Sequence, residues 1–279
     1  MEKQITQQEI DHFRNRLEED EKSRATVEKY LRDIRRFQEF LDGRGVTKEV
    51  VIQYKQWLIS EYAPSSVNSM LVALNRFFRE LEWFECMVKT VKIQRQSFRD
   101  RNRELTKEEY FRLLETAKRQ KDERLYYMLQ TICATGIRVG ELQFITVEAV
   151  NCGRARVNLK GKNRVVLLPS ALCQELKVYA MRRAIRTGSI FITRNGNPVD
   201  RSNILHEMKA LCETAQVDAQ KVFPHNLRHL FACLYYKEVK DLGRLADILG
   251  HSSVNTTRIY TSVSGDEQIQ QIEKLGLII

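Results

Sequence analysis

The sequence contains no apolar stretch long enough to cross a bilayer and no pair of cysteines at metal-binding spacing. Its longest apolar runs, such as residues 165–168, fall far short of the roughly 20 residues that a membrane helix needs. The first nine residues include no apolar signal region, which predicts an unsecreted, cytoplasmic protein. Six scattered cysteines without a Cys-x-x-Cys pair indicate reduced thiols and give no support for a zinc site.

Positive charge is the most prominent feature of the composition. The chain of 279 residues has a net charge of +10 and an isoelectric point of about 9.3. Residues 96–279 hold 29 of the 46 basic residues but only 20 of the 36 acidic ones. Many soluble proteins are basic, but this asymmetry favours an anionic partner for the C-terminal two thirds. The length allows two domains and a sizeable core.

Residues 5–85 have apolar residues at three- and four-residue spacing, which predicts four short amphipathic helices. Thr6 and Glu9 form a capping-box pattern for the first helix. The second spans residues 23–41, the third starts at Thr47 and the fourth at Pro64. Basic residues between the apolar positions form either a solvated face or, as the rest of the chain favours, a DNA-facing one: Arg24, Lys29, Arg32, Arg35, Arg36, Arg76 and Arg79.

The helical spacing of apolar residues ends before residues 89–103, which are polar and basic and predict a linker. A second capping box, Thr106 with Glu109, opens a larger domain. Alternating β-branched residues at 154–168 predict a hairpin with residues 160–163 at its tip. Helices are predicted at about 107–119, 125–134, 170–187, 201–216, 226–239 and 242–249.

Residues 224–260 collect groups suited to handling a phosphodiester. Arg228 is a permanently charged fork that can bind two phosphate oxygens at once. His225 and His251 can move protons near neutral pH. Tyr260 carries a hydroxyl that becomes a nucleophile once it is activated. Upstream, Arg138 lies between two glycines, as expected where a turn brings a side chain close to a ligand.

These motifs resemble those of the tyrosine recombinases, integrase-like enzymes that exchange DNA strands at specific sites. Residues 134–142 match the first arginine box, residues 224–229 the His-x-x-Arg box and residues 249–251 the third box. Tyr260 follows at the nucleophile position, nine residues after His251. The run from 249 to 261 is especially close to the Xer-like branch. Four motifs in this order are far more specific than any one of them.

The resemblance covers nearly the whole chain and implies its fold, which is mainly α with a small β-sheet. An N-terminal four-helix core-binding (SAM-like) domain would occupy residues 1–88, followed by the basic linker at 89–103. A mixed α+β catalytic domain with a C-terminal tail would occupy residues 104–279. The two domains are expected to form a C-shaped clamp around DNA.

The resemblance also implies a catalytic set without metal or other cofactor: Arg138, Lys160, His225, Arg228, His251 and Tyr260, with Glu141 as acidic support. Tyr260 would attack a backbone phosphorus, releasing a 5′-hydroxyl and forming a 3′-phosphotyrosine. Lys160 aligns best with the hairpin lysine, but the turn is one residue short and Lys162 is the alternative. His229 is assigned a structural role.

The implied partner is double-stranded DNA with specific core sites, bound by a homo-tetramer on two duplexes, with or without a second recombinase and without a membrane. The apolar tail at residues 275–279 would dock on a neighbouring protomer or pack on its own domain. Two alternative functions are DNA relaxation like that of topoisomerase IB, and non-catalytic, sequence-specific DNA binding for regulation.

Overall fold

The computed structural model describes residues 3–93, 103–159, 162–260, 269 and 273–275. The chain divides into two units, Met1–Arg95 and Gln96–Ile279. Most of the predicted linker and most of the C-terminal tail lie outside the described residues, so the predicted docking of residues 275–279 stays a prediction. None of the described helices is both long and apolar enough to cross a membrane.

The described residues of the first unit form four α-helices, as predicted: α1 (Gln7–Glu19), α2 (Arg24–Leu41), α3 (Lys48–Glu61) and α4 (Pro64–Glu80). The Thr6 capping box is present, because the backbone N–H of Thr6 donates to Glu9 at 2.7 Å and Thr6 Oγ1 accepts from the Glu9 backbone. The predicted apolar stripes meet in one core, whose largest buried side chains are aromatic: Phe13, Phe37, Tyr54, Phe77 and Phe78.

The second unit is also mostly helical. Its described helices are α5 (Lys107–Arg119), α6 (Glu123–Thr135), α7 (Val147–Cys152), α8 (Ser170–Arg182), α9 (Arg201–Ala210), α10 (Cys212–Ala215), α11 (Pro224–Val239), α12 (Leu242–Leu249) and α13 (Val254–Thr257). Helix α8 is shorter than predicted, because the chain turns through Ala184 in a left-handed conformation with φ 53°. The predicted helix 201–216 is interrupted at Leu211.

Strands β1 (Arg154–Leu159) and β2 (Lys162–Leu167) pair antiparallel. Leu159 pairs with Lys162, so only residues 160 and 161 connect the strands. The prediction that Lys162 and Asn163 lie in the turn is therefore wrong. The register agrees with burial: Ala155 pairs with Val166 on the buried face, and a slip of β2 by one residue would turn Val166 to the solvent.

Helices α6 and α11 pack against each other at the centre of the second unit. Helix α6 ends at Gly136, which has φ +62° and makes a left-handed cap. A Cβ at Gly136 would lie 2.5 Å from the ring of Phe231 on α11, so glycine permits both the turn and the close packing. This packing brings the segment after Gly136 beside the first turns of α11.

Candidate active site

Arg228 lies at the centre of a polar cluster formed by the end of α6, the start of α11 and the segment after α12. It is only 2% exposed, on the second turn of α11. Its guanidinium donates to the carbonyls of Gly136 and, at 2.7 Å, Leu249, which are the free carbonyls at two helix ends. Burial and then the charge of Arg138 lower the pKa of Arg228 to about 10, so it remains cationic at neutral pH. This residue thus fixes two chain segments around one positive charge.

His251 contacts Arg228 and has a defined protonation state. Its Nε2 lies 3.1 Å from Nη2 of Arg228, and its Nδ1 lies 2.8 Å from Oγ1 of Thr257. Because a guanidinium can only donate, Nε2 must accept and the ring proton must reside on Nδ1, which donates to Thr257. Burial and then Arg228 and Arg138 lower the pKa of His251 to about 4. His251 is therefore a neutral imidazole in the free protein.

Arg138 is the more accessible guanidinium of the cluster, with 41% of its side chain exposed. Its Nη2 donates to the carbonyl of Gly250 at 3.1 Å, and its Nη1 donates to Oε1 of Glu141 at 3.1 Å. Glu141 is buried and also accepts from the backbone N–H of Arg138 at 2.9 Å. Burial alone would raise the pKa of Glu141, but hydrogen bonds from Arg164 and Arg138 lower it overall. Glu141 is thus a buried carboxylate that holds Arg138.

Arg164, on β2, is a member of this cluster that the sequence motifs do not include. It donates to Oε2 of Glu141 and, at 2.6 Å, to the carbonyl of Ile248. It therefore connects the hairpin to Glu141, which holds Arg138, and to the end of α12. The alternation of the strand could have identified Arg164. It lies two residues before the buried Val166, so both side chains point to the inner face of the strand.

Tyr260 ends a 3₁₀ turn (Arg258–Tyr260) and is 3% exposed. Its ring lies nearly parallel to that of His251, with 6.2 Å between centroids and 12° between planes. The ring of His229 lies at 5.1 Å on a tilt of 52°. Burial raises the pKa of Tyr260, and this is partly offset by the charge of Arg228 and a hydrogen bond from it. The phenol therefore needs a base or an anion-binding environment to ionise.

His225 is exposed on the first turn of α11, three residues before Arg228. Partial desolvation and then the charges of Arg228, His229 and Arg138 lower its pKa. Of the predicted set, the structure thus brings together Arg138, Glu141, His225, Arg228, His251 and Tyr260, and adds Arg164 and Thr257. Lys160 lies outside the described residues, as does the side chain of Lys162.

This cluster can bind an anion beside the hydroxyl of Tyr260. Arg138 and Arg228 are charged donors, and charged donors form the strongest hydrogen bonds to phosphate oxygens. Because the donors are held by backbone carbonyls and Glu141, little reorganisation is needed when charge develops on a bound group. Within the described part of the chain, no three His, Cys, Asp or Glu side chains cluster closely enough to hold a metal ion.

Substitution of Gly250 tests how firmly Arg164 is held. Gly250 and Gly153 end α12 and α7 with φ +63° and +69°, so alanine at either position costs about 1–2 kcal/mol. A Cβ at Gly250 would also lie 2.5 Å from Cδ of Arg164, whereas one at Gly153 meets nothing within 4 Å. We expect Gly250→Ala to cost a further 1–3 kcal/mol or so in urea denaturation. Equal losses for the two variants would contradict a fixed Arg164.

The titration of His251 provides a second test. Its folded pKa of about 4 is below the ordinary 6.5, so its contribution to stability is present above pH 6.5 and is lost as pH falls toward 4. A bound phosphate should offset the neighbouring guanidinium charges and raise this pKa. We expect histidine NMR of the full chain, assigned with His251→Gln, to show a low midpoint that rises with added phosphate or DNA. A midpoint near 6.5 without ligand would show that burial and the neighbouring guanidinium charges do not lower this pKa.

Comparisons with known proteins match both units. The profile described as Phage integrase family matches residues 103–267, and the one described as Phage integrase, N-terminal SAM-like domain matches residues 10–84. Tyrosine recombinase XerA of Pyrococcus furiosus is 27% identical over 285 residues, which cover 99% of this chain and 97% of that protein.

Two solved structures have the same fold. XerH site-specific recombinase bound to difH substrate, in a pre-cleavage complex, is 20% identical with a TM-score of 0.70, covering 90% of this chain and 79% of that one. A lambda integrase tetramer bound to a Holliday junction is 19% identical with a TM-score of 0.71, covering 88% and 77%. The predicted fold class, mainly α with a small sheet in two such domains, is confirmed.

Proposed function

The chain belongs to the phage integrase family and is a tyrosine recombinase, and from that premise we propose that Tyr260 is the nucleophile that cuts DNA at specific core sites. The observation that carries this assignment is the position of Arg228. This buried cation lies 3.1 Å from Nε2 of His251, and its charge lowers the pKa of Tyr260 against the effect of burial, so one guanidinium can bind a phosphate and face the attacking hydroxyl.

In the proposed cleavage step, the Tyr260 oxygen forms a bond to phosphorus as the bond from phosphorus to the 5′-oxygen breaks. The phenol proton passes to His225, and Lys160 donates a proton to the leaving 5′-oxygen. Arg138 and Arg228 stabilise the charge on the non-bridging oxygens. The product is a 3′-phosphotyrosine that keeps the phosphodiester energy for rejoining.

His251 and Glu141 would support this step in different ways. The negative charge of a bound phosphate would offset the guanidinium charges that lower the pKa of His251, and the protonated ring could then donate to a phosphate oxygen. Glu141 holds Arg138 and Arg164 through hydrogen bonds to both of its carboxylate oxygens. Attack of a 5′-hydroxyl from a partner strand on the phosphotyrosine reverses the chemistry and completes strand exchange.

The first unit offers a basic groove for the DNA backbone. A groove of about 270 Å³ lies between α2 and α4 and includes Lys29, Arg32 and Arg36. Lys29 is paired with Asp33, whereas Arg32 is exposed and Arg36 stacks on Tyr62 at 5.3 Å. Two cations therefore remain for phosphate contacts, which position a protein on DNA without reading its sequence.

We place the active assembly at four protomers on two duplexes in the cytoplasm, with a second recombinase as the alternative composition. The lambda integrase tetramer bound to a Holliday junction supports a tetramer, because exchange of strands between two duplexes requires four nucleophiles. The tail at residues 275–279 is the segment proposed to connect neighbouring protomers.

The polarity of the covalent bond tests the mechanism. The protein would be incubated with sheared host or element DNA, denatured, and the captured fragments labelled. Attack as proposed leaves a free 5′-hydroxyl, which polynucleotide kinase can label directly, and a 3′ end blocked by protein. A blocked 5′ end would contradict the mechanism. Relaxation of supercoils without recombinant joints would favour a topoisomerase role, and specific binding without any adduct a regulatory one.

A further inference from the structure

His229 follows Arg228 on α11 and contacts the nucleophile without belonging to the predicted catalytic set. Its ring centroid lies 5.1 Å from that of Tyr260. Its Nε2 lies 3.0 Å from Oε1 of Glu104, and only 17% and 26% of the two side chains are exposed. The carboxylate of Glu104 thus contacts the imidazole of His229, which in turn contacts the ring of Tyr260.

Glu104 directly follows the predicted linker at residues 89–103, and a second contact fixes the same segment. The buried Asn226, also on α11, donates to the carbonyl of Arg103 at 2.8 Å and to that of Lys221 at 2.7 Å. The chain at residues 103–104 is therefore held at two points of α11, one on each side of Arg228 in the sequence.

We propose that the Glu104–His229 pair is a positioning element that holds the Tyr260 ring at the phosphate site and couples its placement to the segment where the linker ends. The inference rests on the proposed function of Tyr260 and adds a residue pair to it. His229 does not touch the reacting atoms. It acts by packing its ring, whose orientation Glu104 fixes, against the phenol ring at a tilt of 52°.

The charge state of the pair gives it a measurable signature. Burial lowers the pKa of His229, but hydrogen bonds to Cys233 and Glu104 raise it by more than burial lowers it. The resulting pKa is about 9. The pair is therefore ionic below that pH, and its contribution is lost as pH rises through about 9. The titratable groups placed near His229 among the described residues include Glu104 before α5, Cys233 and His225 on α11, and Tyr260.

Glu104→Gln is the decisive variant, because the amide keeps a hydrogen-bond acceptor but removes the charge. Histidine and tyrosine ring NMR of the full chain, assigned with His229→Gln and Tyr260→Phe, needs no DNA. We expect the His229 midpoint to fall by about 1–3 pH units and the Tyr260 ring signal to shift. Glu207→Gln is the matched control, since it neutralises a similarly exposed ion pair with Arg124 between α6 and α9.

Cleavage should respond in the same direction. On DNA fragments that the wild-type protein captures, we expect Glu104→Gln to slow adduct formation about 10- to 100-fold with DNA binding unchanged. The fall in rate at alkaline pH should also begin at lower pH than in the wild type. Glu104→Asp, which restores the charge, should recover part of the rate, and Glu207→Gln should match the wild type.

The two proposals fail in distinguishable ways. An unchanged His229 midpoint and Tyr260 signal in Glu104→Gln would overturn the positioning role, as would wild-type cleavage rates across the pH range. If the wild-type protein captures no DNA, the proposed function fails, and the NMR comparison alone decides whether the pair positions Tyr260.

Discussion

A Tyr260→Phe substitution will abolish the covalent protein–DNA adduct while leaving DNA binding intact. The change removes one hydroxyl and keeps the ring, which is 3% exposed and packs between His229 and His251. Because a covalent step cannot occur without its nucleophile, we expect adduct formation to fall by at least about a thousandfold. Gel separation of denatured reactions measures the adduct, and gel shift of native reactions measures binding.

Tyr236→Phe is the control for this experiment. Tyr236 packs against the same small apolar cluster as Tyr260, so its substitution removes a tyrosine hydroxyl from the same neighbourhood. We expect wild-type adduct levels from Tyr236→Phe. An adduct that persists in Tyr260→Phe would show that another residue is the nucleophile.

The second large effect is expected from Arg228→Lys compared with Arg138→Lys. Both substitutions keep a positive charge and remove the planar fork that can bind two oxygens at once. We therefore expect each variant to lose about 10²-fold or more in the rate of adduct formation, as for other losses of transition-state donors. The positive charge of lysine does not replace the two parallel N–H donors of the guanidinium.

The two variants should differ in stability. Arg228 donates to two buried carbonyls at helix ends, and the single ammonium of lysine leaves at least one of them without its donor. The expected cost is about 1–3 kcal/mol in the free energy of unfolding. Arg138 is 41% exposed, so Arg138→Lys should cost less than about 0.5 kcal/mol. Urea denaturation measures both, and equal stabilities would contradict the bridging role of Arg228.

The comparison also separates folding from chemistry. If Arg138→Lys retains full stability and loses adduct formation, the loss arises from the site itself. If Arg138→Lys forms the adduct at the wild-type rate, the guanidinium of Arg138 does not bind the reacting phosphate. These measurements can thus contradict the roles proposed for Arg138 and Arg228 without contradicting the role of Tyr260.

Local structure in this chain was largely predictable because its signals are local. The capping boxes at Thr6 and Thr106 and the apolar stripes of α1 to α4 depend on residues three and four positions apart. The prediction for the hairpin tip was wrong because a register depends on which face is buried, and burial is decided by the rest of the domain.

The sequence by itself determined the family and the order of the motifs, because residue types at fixed spacing carry that information. Only the tertiary structure decided how the motifs are connected. Glu104 meets His229, and Arg164 meets Glu141 and Ile248, across long separations in the chain. The neutral state of His251 likewise arises because Arg228, 23 residues away, can only donate to it. Such contacts depend on how helices and strands pack, and no local pattern in the sequence specifies them.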